Sequence, residues 1–402
     1  FFFFFFFFFF IIVIILCMFV CLYMHTNIYI QMLTSKKPEL IYYDIQMNNF
    51  QSTGTTSQPM RFSETRNNPI IKNAGEYLLS IVRFQLDTYS LPTFIADIEP
   101  FPNTDPNKMI ETITLEYNDG SITTEGPLHL SWIPTNAHIT VPAAPQPLQE
   151  TNTEYYYGNS FRHYCDLINN AFESLTTDLK TSVGVALDDL IAPKMIWNDD
   201  KQLAEIIGQQ EFFDWNNTNV VNIYFNRPLY GKLTSIPAIK NYNGTDGKIY
   251  KIYMKNDYNT KVISLDVDGT GTQDFIKVSQ EFSTISNWSP VSSIVFTTST
   301  LPIYSTQLSE PLVYSNGNAI NTKIPQNFSQ VISDMATNDL CYKPNLIYSP
   351  TGEYRFIDMY GNGDVTNIDV NVYWKDVKGN LNSFYLQSGA SGSIKILFKL
   401  KK

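Results

Sequence analysis

A chain of 402 residues with 44% hydrophobic content is long enough for two domains of ordinary size, or for one large β domain with insertions. A net charge of −10 at pH 7 argues against a surface that wraps nucleic acid, because phosphate binding needs clustered Lys and Arg. Asn, Thr and Ser are abundant while Ala and Leu are scarce, which disfavours helices and favours strands joined by polar turns.

Residues 1–24 form an unbroken apolar run headed by ten Phe, and the first charged residue is Lys36. The run is long enough to cross a bilayer, yet it lacks the initiating Met and positive charge of a signal peptide. Three readings stay open: translated sequence upstream of a start at Met18, Met24 or Met32, a membrane anchor, or a signal peptide. A membrane partner is expected only if residues 1–24 are an anchor, and residues 1–33 are set apart from the fold. Residues 34–74, polar and carrying Pro38, Pro59 and Pro69, read as an extended arm that lies across a neighbour or stays disordered.

Ordered β structure is predicted from Glu76 to Asp87, where apolar and polar residues alternate. Met109 to Tyr117 and Ile122 to Ile133 follow, joined by the hairpin turn Asn118-Asp119-Gly120. The one convincing helix spans 160–179, with Phe161, Tyr164, Cys165, Ile168, Phe172 and Leu175 on one face. No strand can be placed between Val183 and Asn217. Strands resume at Val220 and continue to Leu400, and in the segment 366–374 Ile368, Val370, Val372 and Trp374 keep a two-residue period.

The stretch from Phe282 to Ser309 contains no Asp, Glu, Lys or Arg. Its middle, Val291 to Ile303, is rich in β-branched and aromatic residues and carries apolar side chains on both parities. That pattern predicts a strand covered on both faces, inside a sandwich or at a subunit contact. Trp288, Ile294, Phe296 and Leu301 are the candidate subunit-interface residues.

Catalytic and metal chemistry has little to stand on in this sequence. His129, His138 and His163 have no second His or Cys at ligand spacing, no Gly-x-Ser-x-Gly elbow is present, and no cofactor is expected. Cys165 and Cys341 read as buried thiols. Asp266, Asp268 and Asp274 open like a calcium loop, but Lys277 stands where the bidentate Glu is needed, so the segment reads as a hairpin turn with calcium as the weaker alternative. Tyr155, Tyr156 and Tyr157 are either a packing anchor before the helix or a glycan platform. The basic tail, Lys395, Lys399, Lys401 and Lys402, reads as a solvated chain end.

Trp288-Ser-Pro-Val-Ser-Ser-Ile-Val-Phe-Thr-Thr-Ser-Thr-Leu-Pro302, with Glu353-Tyr-Arg-Phe-Ile-Asp358, Ile368-Asp-Val-Asn-Val-Tyr-Trp-Lys-Asp376 and Ile394-Lys-Ile-Leu-Phe398, resembles jelly-roll capsid proteins of eukaryotic DNA viruses, of the Polinton-like, adintovirus and virophage assemblage. The resemblance covers mainly residues 281–402. It implies a non-enzymatic subunit of an icosahedral virion, assembled inside the host cell. It also implies a double jelly roll that trimerises and meets other capsid proteins, without sequence-specific contact to nucleic acid. The strand count, about fifteen, suits two eight-stranded jelly rolls. The expected fold is therefore mainly β, an antiparallel jelly-roll sandwich with one flanking helix, divided into residues 75–230 and 231–402. A single jelly-roll minor or vertex subunit with insertions is the alternative within the class. A carbohydrate-binding β-sandwich that meets a host glycan or receptor is the alternative outside it, and a glycoside hydrolase is a third reading.

Overall fold

The computed structural model describes residues 14–24, 37–50, 57–135, 139–145, 153–242, 244, 246–257, 261–266, 272–304, 313–315, 318–320, 330–336, 345–349, 355–377 and 379–402. In the segment Leu40–Asn48, Tyr43, Ile45 and Met47 alternate with exposed Tyr42, Asp44, Gln46 and Asn48, a two-residue period that can bury one face only as a strand. The strand pairs antiparallel with Ser391–Leu400 over nine positions, from Leu40↔Lys399 to Asn48↔Ser391. The other edge of Ser391–Leu400 pairs with Tyr77–Asp87, and Asn345–Tyr348 follows. The expected arm is thus corrected. Much of the segment 34–74 is woven into its own sandwich, Arg61–Thr65 included, which pairs with Asn367–Asp376.

The facing sheet is built around the charge-free strand Val291–Thr298, which lies between Gln330–Ala336 and Asn367–Asp376. Leu381–Ser383 pairs on the far side of Asn367–Asp376. Between the two sheets lie Ile45, Leu79, Phe84, Ile294, Phe296, Ile368, Val370, Trp374, Ile394, Ile396 and Phe398. The Phe84 and Phe296 rings meet across the interior at 5.0 Å. On the opposite face Val295 is buried beside Tyr373 and Leu381, its neighbours in the same sheet, so the central strand is buried on both parities.

A second core takes its residues from Phe94 to Trp288. One of its sheets runs Ala238–Lys240, Tyr250–Ile252, Val220–Phe225, Lys108–Asn118, Ile122–Ser131; the other runs Lys261–Asp266, Thr272–Ser279, Leu203–Gln209, Lys194–Asn198. The long helix Phe161–Val183 buries Tyr164, Cys165, Ile168, Phe172, Leu175 and Leu179. It runs four residues past the predicted end and stops at Gly184, whose φ of 82° suits a residue without a Cβ. Shorter helices occupy Gln210–Phe213 and Arg227–Lys232. The unplaced region 183–217 holds two of the strands, of five and seven residues.

The protein is mainly β and antiparallel, with two sandwich cores, but the cores are nested rather than consecutive. Leu229 and Leu233 belong to one core, so a boundary at 230/231 would cut through it. The division follows strand pairing, which joins the two chain ends and leaves 94–288 as an insertion. Near the start, residues 14–24 form a helix whose side chains are exposed. No helix among the described residues is long and apolar enough to cross a membrane.

Nesting predicts that the cores respond separately to truncation. Phe296→Ala and Phe172→Ala should each cost about 3–5 kcal/mol, and differential scanning calorimetry should show each variant lowering a different part of the unfolding profile.

Candidate functional site

The chain crosses between its two cores twice, at Phe94–Asp97 and again at Ile285–Val291, and each crossing is pinned by an aromatic residue. Phe94 is fully buried and Trp288 nearly so, with ring centroids 6.4 Å apart. Trp288 also meets Tyr164 at 4.8 Å and Phe161 at 5.2 Å. Its indole Nε1 donates to the Lys232 carbonyl at 2.7 Å, so the buried ring leaves no polar atom unpaired. A second contact across the junction sets Tyr157 edge-on to Trp374 at 5.8 Å.

Beside this pin lies an ionic cluster. The Lys232 ammonium reaches Glu111 Oε1 at 2.6 Å and Asp97 Oδ2 at 3.1 Å, and sits 5.2 Å from the centre of the Tyr164 ring. Glu111 is wholly buried, and its Oε2 has no hydrogen-bond partner among the described residues. Burial pulls the Lys232 ammonium down, but the Glu111 and Asp97 carboxylates outweigh it and raise its pKa overall. An ion pair this dry repays its desolvation only when the geometry is good. Its gain here is to fix the helix Arg227–Lys232 against the strand Lys108–Asn118.

A second buried carboxylate, Asp369, makes no ion pair among the described residues and is held by hydrogen bonds instead. Asp369 Oδ1 accepts from Thr298 Oγ1 at 2.6 Å, Thr300 Oγ1 at 2.5 Å and the Thr300 amide at 2.8 Å. Oδ2 accepts from the Ser299 amide at 2.8 Å and Ser299 Oγ at 2.7 Å. Burial alone would push the Asp369 carboxyl up; the hydroxyl and amide donors outweigh it and hold it below the usual range. Thr-Ser-Thr at the end of Val291–Thr298 is thus a carboxylate cradle that locks the turn to the neighbouring strand.

The four interface candidates, Trp288, Ile294, Phe296 and Leu301, are all inside the chain's own cores, at 3%, 0%, 0% and 1% exposure. Their apolar character is accounted for by burial within the chain's own cores. Asp266 and Asp274 lie on the two strands of one hairpin. Asp274 accepts from Ser264 Oγ at 2.6 Å across that strand pair. Asp268, His138 and Cys341 lie outside the described residues. No group of three or more metal-ligating side chains occurs among the described residues. His129 and His163 face backbone carbonyls, of Met109 and Ile133, each at 2.7 Å. Burial pushes the Cys165 thiol up to about 12, leaving it an inert core residue. Tyr155 and Tyr156 are buried, with hydroxyls on Asn107 Oδ1 and the Pro106 carbonyl, and serve as the packing anchor. The sequence reading missed Asp369, Glu111, Lys232 and Asp97. The cradle had a legible signal, a hydroxyl run ending a charge-free strand; the ionic cluster had none, because its members are far apart in the chain.

Comparison with known proteins gives a consistent picture. The family model for "Sputnik minor capsid protein V18/19" matches residues 41–400. "Uncharacterized protein V18" of the Sputnik virophage is 32% identical over 156 residues, which is 37% of this chain and 89% of that protein. "Structural protein V19" of the same virophage is 25% identical over 203 residues, 50% of this chain and 91% of that protein. Among solved structures, a chain in the 3.5 Å cryo-EM structure of the Sputnik virophage superposes with a TM-score of 0.75 at 26% identity, covering 91% of this chain and 99% of that one. The mavirus penton protein shares the fold, with a TM-score of 0.60 at 13% identity over 90% of this chain and all of its own.

The cradle predicts an acid limb to stability. A carboxyl whose folded pKa lies below its unfolded value of about 3.9 contributes fully above that value, and the contribution is lost as pH falls through the folded pKa. Asp369→Ala leaves several buried donors unpaired and should cost about 3 kcal/mol near neutral pH. Denaturant titrations from pH 7 down to pH 3 should show that penalty shrinking at the acid end.

Proposed function

The chain belongs to the Sputnik minor capsid protein V18/19 family and is a structural subunit of a viral capsid, and from that premise we propose that it forms the vertices of an icosahedral shell. The observation that carries this reading is the nesting of the fold. One sandwich is built from the two chain ends, with residues 94–288 inserted, so the chain offers one shell-forming jelly roll and not two of a kind. A trimer that imitates a six-fold capsomer needs two similar sandwiches per chain. Here the inserted core differs from the other by its 23-residue helix. A five-fold ring needs only one sandwich per copy, and closed cyclic symmetry then follows from a single heterologous contact.

On this reading the protein works by burying surface against other capsid proteins and turns over no substrate. Its contacts come from side chains the monomer leaves outside, such as Ile347 at 65% and Tyr304 at 63% exposure, and from the open edge of Leu40–Asn48. The acidic balance of the chain leaves neutralisation and packaging of the genome to other components.

Native mass spectrometry and negative-stain electron microscopy of the purified chain test the proposal. Five-membered rings are the expected result. Trimers would place the chain in the faces of the shell instead, and monomers at every concentration would overturn self-assembly through this subunit.

A further inference from the structure

The cluster at the base of the insertion has the composition and geometry of a self-condensing pair. We propose that Lys232 and Asp97 join in an intramolecular amide bond, with Glu111 as the proton carrier. Lys232 Nζ lies 3.1 Å from Asp97 Oδ2, one bond from the acyl carbon, and 2.6 Å from Glu111 Oε1. Asp97 is held beside Glu111 by the backbone, since the Ile110 amide donates to the Asp97 carbonyl at 2.9 Å. Approach of the two reacting groups is therefore set by the fold rather than by chance encounter.

The reaction balances within the cluster. Glu111 carries one proton from the ammonium to the Asp97 carboxylate, and neutral Nζ attacks Cγ of the resulting carboxylic acid. The Cγ–OH bond then breaks as Glu111 carries a second Nζ proton to the departing hydroxyl, which leaves as water, and the third proton stays on the amide nitrogen. An ammonium and a carboxylate become one amide and one water, and Glu111 ends as it began. No oxidant or cofactor is required. The cluster is shielded from solvent on the Glu111 side: Glu111 is wholly buried, its Oε2 has no hydrogen-bond partner among the described residues, and Tyr164 flanks the lysine.

Asp97 rather than Glu111 is the acyl donor because only Asp97 has an exit for the water. Its side chain is 47% exposed, and with Lys232 it lines a cleft of about 360 Å³ that also touches Trp288, Pro290 and Val377. Two similar sets serve as internal contrasts. Lys248 meets Glu116 Oε2 and Lys277 meets Glu205 Oε2, but the nearby carboxamides of Asn222 and Asn198 bond to the opposite oxygen, Oε1, in each case. In each set the lysine meets a single carboxylate among the described residues, with no second one to carry the proton. The amide at Lys232 would fasten the first crossing to the residue whose carbonyl grips Trp288 and Thr284 at the second.

Intact-mass measurement of the purified full chain, followed by proteolysis and tandem mass spectrometry, decides the matter. The expected result is a folded protein lighter by one water and a branched peptide joining Asp97 to Lys232, with Lys248 and Lys277 unlinked. Glu111→Gln should restore the full mass while circular dichroism shows the fold retained. Asp97→Asn should reach the same product mass as the parent by releasing ammonia. A folded parent protein at its full formula mass, with Asp97 and Lys232 in separate peptides, would overturn the proposal, as would a branch mapped to Glu111.

Discussion

The pairing of the first ordered strand with the last is the constraint from which the architecture follows. Leu40–Asn48 and Ser391–Leu400 share nine consecutive register positions, and Tyr77–Asp87 lies on the other side of Ser391–Leu400. With the two ends of the chain neighbours in one sheet, the segment 94–288 leaves that sandwich and returns to it. The loop-closure entropy of so long an excursion grows only slowly with length. A complete second core can therefore be carried between residues 94 and 288.

Such an excursion needs control at its base, and the base is where the unusual chemistry collects. Phe94 and Trp288 bring the two crossings together, the Trp288 indole closes onto the Lys232 carbonyl, and Lys232 in turn faces two carboxylates. Aromatic packing supplies area, whereas the ionic and hydrogen-bonding partners supply direction, because a buried charge tolerates few alternative arrangements. The Asp369 cradle does the same in the outer sandwich. Five donors from three consecutive residues fix the turn after Val291–Thr298, and a shifted register would strand the carboxylate in an apolar interior.

The charge-free stretch shows how one sequence signal can suit two destinations. Apolar residues on both parities of Val291–Thr298 require cover on both faces, and a subunit contact or a chain-internal sheet would serve equally. The fold buries both parities itself, Phe296 against Phe84 of the facing sheet and Val295 among its in-sheet neighbours Tyr373 and Leu381. Surfaces for assembly lie instead at exposed positions and at open strand edges, where a single sequence cannot distinguish a contact from ordinary solvent exposure.

Local periodicity determined a great deal by itself. The alternation at 367–376, the Asn118-Asp119-Gly120 turn and the helical face from Phe161 to Leu175 each act over a few residues, so composition and order specify them. The strand Leu40–Asn48 was hidden because its apolar residues sit among Asn and Gln, and its stability comes from a partner some 350 positions away. The two short strands within 183–217 are likewise set by their neighbours more than by propensity. Which sandwich each strand joins, and the meeting of Asp97, Glu111 and Lys232, belonged to the tertiary structure alone. Strand pairing and ion pairing reward contacts between distant residues, and the linear order of a chain carries no record of which distant residues will meet.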